Sequence, residues 1–154
     1  MLKRILSIFL LAIFCCFTNA TEAIVVDRRP VLIGFSIPQE TDITKAMLSG
    51  AKKAIGKLNA KLVIRNGRGD VDVQMAQIHD LIAQETGCLV VVYDDIKANG
   101  RIVESGKNKG TPVVLVEGKM TDKKAAFEAA KKAVEDAYNK FKAKPVQPAF
   151  YSGY

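Results

Sequence analysis

Residues 30–144 predict an α/β fold, a three-layer sandwich in which helices cover both faces of an open parallel sheet. Three observations predict it. From Pro30 onward, short apolar runs rich in β-branched residues alternate with stretches of helical periodicity. The runs are continuous, as in Leu89-Val90-Val91-Val92, whereas a strand with one wet face would alternate apolar and polar side chains. The chain has 154 residues, room for one domain but not for two full lobes flanking a cleft. With 49% apolar and 25% charged residues it can bury a core, which excludes a disordered or collagen-like chain.

The strands fall at 31–36, 61–66, 88–93 and 111–117, bounded by Gly, Asn or Asp. The first helix, 42–58, places Ile43, Met47, Ala51, Ala54, Ile55 and Leu58 on one stripe, with Gly50 and Gly56 allowing close packing. The second, 71–84, buries Val71, Met75, Ile78 and Ile82; Asp70 or Asp72 caps its start and Thr86-Gly87 ends it. The third, 97–107, is weakened by Gly100 and Gly106, with Ile102 and Val103 supplying its inward face. The fourth begins at Thr121 or Asp122 and carries Phe127, Ala130, Val134, Ala137, Tyr138 and Phe141 on one stripe to about Lys142, ahead of Pro145 and Pro148. Residues 145–154 form an aromatic tail, an edge strand or a sticky end.

At the N-terminus, Lys3 and Arg4 precede an apolar run over 5–17 that closes on Thr18-Asn19-Ala20, the order of a secretory signal. The run is shorter than the ~20 residues a spanning helix needs, so residues 1–20 are expected to be removed, with cleavage after 20 or 23. The mature chain is then expected to be periplasmic or secreted, with no stable membrane insertion. Cys15 and Cys16 lie in the removed segment, which leaves Cys88 alone and excludes a disulfide scaffold. Removal also takes Lys3 and Arg4 and no acid, leaving 21 basic residues against 16 acidic ones, a net charge of +5. Much of the surplus is lysine in the fourth helix, interleaved with Glu128, Glu135 and Asp136, the pattern of a solvated face. Export, the absence of Trp and the lack of an aromatic-basic ribbon argue against nucleic acid as a partner.

In an open parallel sheet a ligand crevice lies beyond the carboxyl ends of the strands. The four loops there supply Ser36, Gln39 and Glu40, then Asn66 and Asp70, then Asp94 and Asp95, then Glu117 and Lys119. Carboxylates and neutral polar groups of this kind suit a hydroxyl-rich ligand, because one carboxylate accepts two or more hydroxyl hydrogen bonds in fixed geometry. Asp70, Asp94 and Asp95 would serve equally as helix caps. Catalytic chemistry is not expected. His79 is the only histidine and lies mid-helix, and Cys88 opens a core strand with nothing beside it to lower its pKa. No metal or cofactor is expected either. No regular oxygen-ligand loop surrounds Asp94-Asp95, and Gly67-Arg68-Gly69 lacks both the third glycine of a dinucleotide fingerprint and the Lys-Ser/Thr pair of a P-loop.

Three blocks carry a family resemblance. They are Val31-Leu32-Ile33-Gly34-Phe35-Ser36, then Met47-Leu48-Ser49-Gly50-Ala51-Lys52-Lys53-Ala54, and Gln74, Gln77, Ile78, Asp80, Leu81 and Ile82 running into the third strand and Asp94-Asp95. More loosely, Thr111-Pro112-Val113-Val114-Leu115-Val116-Glu117 adds a fourth. Together they resemble the N-terminal lobe of type I periplasmic sugar-binding proteins, the ribose-binding and related family. The resemblance implies a single lobe of that fold with the flavodoxin-like strand order 2-1-3-4, and makes Asp94 or Asp95 the best-matched ligand position among the candidate contacts Ser36, Gln39, Glu40, Asp70, Asp94, Asp95, Glu117 and Lys119 that the strand-end loops supply. Two departures stand out. Thr41-Asp42-Ile43-Thr44 follows the first strand where the family places a stacking aromatic, and Glu117-Gly118-Lys119 stands where the family grips the sugar with Asp-Arg. Lysine does not reproduce the planar fork of arginine.

Residues 129–146 resemble the helix that returns to the first lobe after the second is complete, so the second lobe is expected to be missing. The family closes two lobes on its ligand, and one lobe alone offers an open half-site. The resemblance therefore implies an exported, non-enzymatic solute-binding-like module whose carbohydrate or small polar ligand site is completed by a second copy or by a transporter or sensor receptor, with the aromatic tail contributing to that contact. The alternative is a non-catalytic interaction or sensory partner whose ligand site has decayed.

Overall fold

The structure is a computed structural model that describes residues 29–94 and 99–144. The expected signal segment, Asp95 and the aromatic tail lie outside the described residues. Within them the chain alternates strand and helix: β1 (Val31–Ile37), α1 (Asp42–Ile55), β2 (Ala60–Asn66), α2 (Val71–Ala83), β3 (Cys88–Tyr93), α3 (Asn99–Asn108), β4 (Val113–Glu117) and α4 (Lys123–Lys142). The strands pair in parallel in the order β2-β1-β3-β4, the arrangement implied by the resemblance.

Each boundary has a local cause. β4 starts at Val113, not 111, because Pro112 has no N–H to give to a ladder; its carbonyl still accepts from Leu89 N at 2.9 Å. α1 opens on a capping box in which Thr44 N donates to Thr41 Oγ1 at 3.1 Å and Thr41 N donates to Thr44 Oγ1 at 2.8 Å. The threonines that occupy the place of a stacking aromatic thus start this helix. α2 and α4 are capped by Asp70 and Asp122. α1 ends at Ile55, short of the expected 58, with Gly56 as its C-cap.

Side chains of alternate strand positions form two cores. Ile33, Phe35, Ile37, Cys88, Val90 and Val92 meet α1 and α4, while Leu89 and Val91 meet Ile78, Leu81, Ile82 and Ile102 from α2 and α3. β3 is buried on both faces, as its unbroken apolar run requires, whereas β2 is an edge and only partly covered. Val134 is fully buried and Phe141 packs against the same core, so α4 closes the sandwich.

Three expectations need correction. Val71 is 57% exposed, because the Asp70 cap sets it at the first helical position, past the sheet's end; the inward stripe runs through Gln74, Ile78, Leu81 and Ile82. Val103 is 41% exposed, leaving Ile102 as the buried residue of α3. Gly56 has no side chain within 4 Å of where its Cβ would stand, so of the two glycines only Gly50 serves close packing.

Candidate functional site

The order β2-β1-β3-β4 puts the topological switch point between β1 and β3, whose carboxyl ends are the place where loops diverge and a crevice opens. The residues at this edge fall into a buried floor and an exposed rim.

The floor is built around Gln74. Its Nε2 donates to Val92 O at 2.9 Å and to Ser36 Oγ at 3.2 Å, so one amide from α2 ties the ends of β1 and β3 where their pairing stops, at Ser36 and Val91. Ser36, a candidate ligand contact, is fully buried and lies in this floor. The sequence reading did not single out Gln74 as a site residue. Its signal is a polar residue on an otherwise apolar helical stripe, which in a core has to find hydrogen-bond partners.

The loop from β2 to α2 is fastened to the loop after β1. Gly67 N donates to Ile37 O and Gly69 N donates to Pro38 O, both at 2.9 Å, while Asn66 Oδ1 accepts from Arg68 N at 2.8 Å. This turn holds Arg68 at φ 57°, the left-handed region that a non-glycine residue rarely occupies, with its side chain exposed. Asp70 is a helix cap, the second of the two readings open for it: its Oδ1 accepts from Asp72 N at 2.8 Å and Val73 N at 3.1 Å.

Gln39 and Glu40 are exposed on the rim. The Gln39 carbonyl accepts from the buried Thr44 hydroxyl at 2.9 Å, its side-chain Oε1 lies over Gly69, and Glu40 pairs with Lys45 at 3.3 Å. Across the crevice, Asp94 is half-buried directly after β3. Its Oδ1 occupies the space a Cβ on Gly118 would fill, and Gly118 N donates to Tyr93 O at 2.7 Å. The glycine therefore lets the β4 loop come close beneath the carboxylate. Among the described residues, Asp94 has no hydrogen-bond or ion-pair partner. Glu117 and Lys119 flank Gly118 and are exposed. The structure thus gathers Gln39, Asp70, Asp94, Glu117 and Lys119 at one edge and places Ser36 beneath them.

The remaining chemistry-bearing residues lie elsewhere. His79 Nδ1 is 3.4 Å from Ser105 Oγ on the exposed outer side of α2 and α3. Among the described residues no group of three His, Cys, Asp or Glu side chains could hold a metal ion. Cys88 is buried at the opposite end of β3, and burial pushes its thiol up to about 12 against a weaker opposing pull from Lys144. The native thiol thus stays neutral while an unfolded one ionises near its ordinary value, so its contribution to stability is full below about pH 9 and falls by about 1.4 kcal/mol per pH unit above it. Urea denaturation between about pH 8 and about pH 10 is expected to show a steeper stability loss for the native sequence than for Cys88→Val; equal slopes would mean the thiol is not shielded.

Lys144 thus marks the end of α4 at the strands' amino edge, opposite the crevice.

No curated protein matches the chain. Among solved structures, it is similar to the solute-binding protein of an ABC transporter from Bacillus halodurans C-125 with bound myo-inositol, with a TM-score of 0.54 and 21% sequence identity. The match covers 58% of this chain and 32% of that one, so the chain spans about a third of that protein's length. A family model described as a periplasmic binding protein domain matches residues 33–145, and the chain belongs to that family.

Proposed function

We propose that the chain is an exported, non-enzymatic solute-binding module that holds a carbohydrate or other small polar ligand against the carboxyl ends of its strands. Asp94 carries this reading: a half-buried carboxylate at the switch point, unpartnered among the described residues, resting on Gly118, whose missing side chain leaves room for it. Asp95, Gln39, Glu40, Glu117 and Lys119, and Asp70 through the carboxylate oxygen its cap does not use, complete the proposed ligand set, with Ser36 supporting it from below through Gln74. A polyol such as the myo-inositol held by the similar structure is the ligand class these acceptors suit. Since this lobe covers only one side of a ligand, a second copy or a transporter or sensor receptor facing the strand ends would complete the site. Residues 1–20 act as the export signal in this reading, with cleavage after 20 or 23, residues 30–144 as the lobe and 145–154 as a tail.

Calorimetry against a panel of sugars and cyclitols tests the proposal. The unmodified chain is expected to bind one class, and Asp94→Ala with Asp95→Ala to weaken it by about ten- to a hundredfold, the worth of one hydrogen bond to a charged group, with unchanged circular dichroism. No heat with any ligand, together with a strict monomer by sedimentation, would remove it.

A second reading, a non-catalytic interaction or sensory partner with a decayed ligand site, is favoured by the rim: Val71 and Val73 are exposed there at 57% and 39%, an apolar lip suited to a protein surface. Partner capture that survives the double aspartate substitution supports this reading.

A further inference from the structure

We propose that the outer face of the α1–α4 layer docks the protein on an anionic lipid surface. The inference starts from where the fold puts charge. α1 and its flanks, 41–58, carry four lysines against Asp42, and α4 with its caps, 121–144, carries seven lysines against four acids, a combined surplus of six. The opposite layer is the reverse: α2 with its flanks, 70–85, has four acids and no lysine or arginine, and α3, 99–109, has three basic residues against Glu104. The sheet thus separates a strongly basic layer from a mildly acidic one, an asymmetry that a chain-wide net charge conceals.

Much of the basic layer's charge is not neutralised internally. Lys45, Lys123 and Lys131 pair with Glu40, Asp42 and Glu128. Lys52, Lys53, Lys124, Lys132, Lys140 and Lys142 are exposed and have no ion-pair partner among the described residues. They stand on one broad surface, because the two helices pack directly on each other, with the Phe127 carbonyl against Gly50, and α4 alone is about 30 Å long.

The chemistry of the face selects the partner. The exposed large apolar residues, Leu32, Val71, Val73 and Val103, all lie off α1 and α4, so the face offers neither the buried anchor of a stable protein interface nor an apolar edge for insertion. Its cations are lysines without an exposed aromatic among them, which lacks the stacking platform of single-strand binders and the fork geometry of base readers. A spread of point charges over a wide, polar surface matches a lipid leaflet, whose potential acts on every lysine within a Debye length. Lying on this face leaves the strand carboxyl ends to one side and open, so docking does not depend on the proposed ligand site.

Co-sedimentation of the full chain with vesicles tests the inference, comparing phosphatidylcholine alone with an equal mixture of phosphatidylcholine and phosphatidylglycerol. At low salt, partition onto the mixed vesicles is expected to be at least about tenfold greater, and to disappear as sodium chloride is raised. Lys132→Glu with Lys140→Glu is expected to lower that difference by about tenfold, while Lys107→Glu with Lys109→Glu on α3 leaves most of it. Equal partition onto both vesicles, equal loss in the two double variants, or tighter binding to duplex DNA than to the mixed vesicles at the same salt would each overturn it.

Discussion

Gly50→Val is expected to destabilise the protein by more than about 3 kcal/mol, over half of the total if stability is near the lower end of about 5 kcal/mol for a domain of this size. Gly50 lies where α1 meets α4, and a Cβ there would overlap the carbonyl carbon and oxygen of Phe127. Those atoms are backbone, so no rotamer change relieves the clash and α4 has to move away. The seam offers no slack. Ala51 and Ala54 of α1 and Ala126, Ala130, Ala133 and Ala137 of α4 are all buried, and small side chains of this kind fill the space only while the helices stay close. Separating them would open voids over Phe35, Val90 and Val92 beneath. Urea denaturation should show the midpoint fall sharply, with Gly56→Ala, a change at an exposed helix end, as the near-neutral control. An unchanged midpoint for Gly50→Val would show that the two helices do not meet as described.

Gln74→Leu is expected to remove about 2–6 kcal/mol although it preserves volume on a buried stripe, because two groups lose their donor, the Val92 carbonyl and the Ser36 hydroxyl, at about 1–3 kcal/mol each. Adding Ser36→Ala to Gln74→Leu should recover part of the loss, since the hydroxyl is then no longer left without its partner; denaturation of both single variants and the double completes the cycle. Ligand binding should weaken in Gln74→Leu as well, because the amide fixes the ends of β1 and β3 beside Asp94. A loss below about 0.5 kcal/mol would mean that the amide is not satisfied as described.

The layered fold was legible in the sequence because strands and helices report their surroundings through periodicity. The run 88–93 reads as a doubly covered strand and is β3, Cys88–Tyr93, at the sheet's centre; the stripe through Val134 and Phe141 reads as a closing helix and is α4. The loops of the candidate site were legible as well, since strand ends in a parallel sheet fix which loops share an edge. Individual roles within those loops were not. Asp70 and Asp94 are the same residue type in the loops that follow β2 and β3, yet one takes helix N–H groups on its carboxylate and the other has no partner among the described residues. The Asp70 role comes from a turn that presents the N–H groups of Asp72 and Val73 to its carboxylate, which residue type alone does not encode.

The sequence by itself determined the class of fold, its succession of elements and the edge where a ligand could meet it, because hydrophobic patterning and turn residues act over a few neighbouring positions. Only the tertiary structure decided that Ser36 goes under the floor with Gln74, that Val71 stays in water, that Gly50 rather than Gly56 brings two helices together, and that the lysine surplus gathers on one layer. Apart from Val71, which the adjacent Asp70 cap sets, these depend on contacts between residues far apart along the chain, such as Ser36 with Gln74 or Gly50 with Phe127, and such distances are set by strand register and helix packing, which no local pattern encodes.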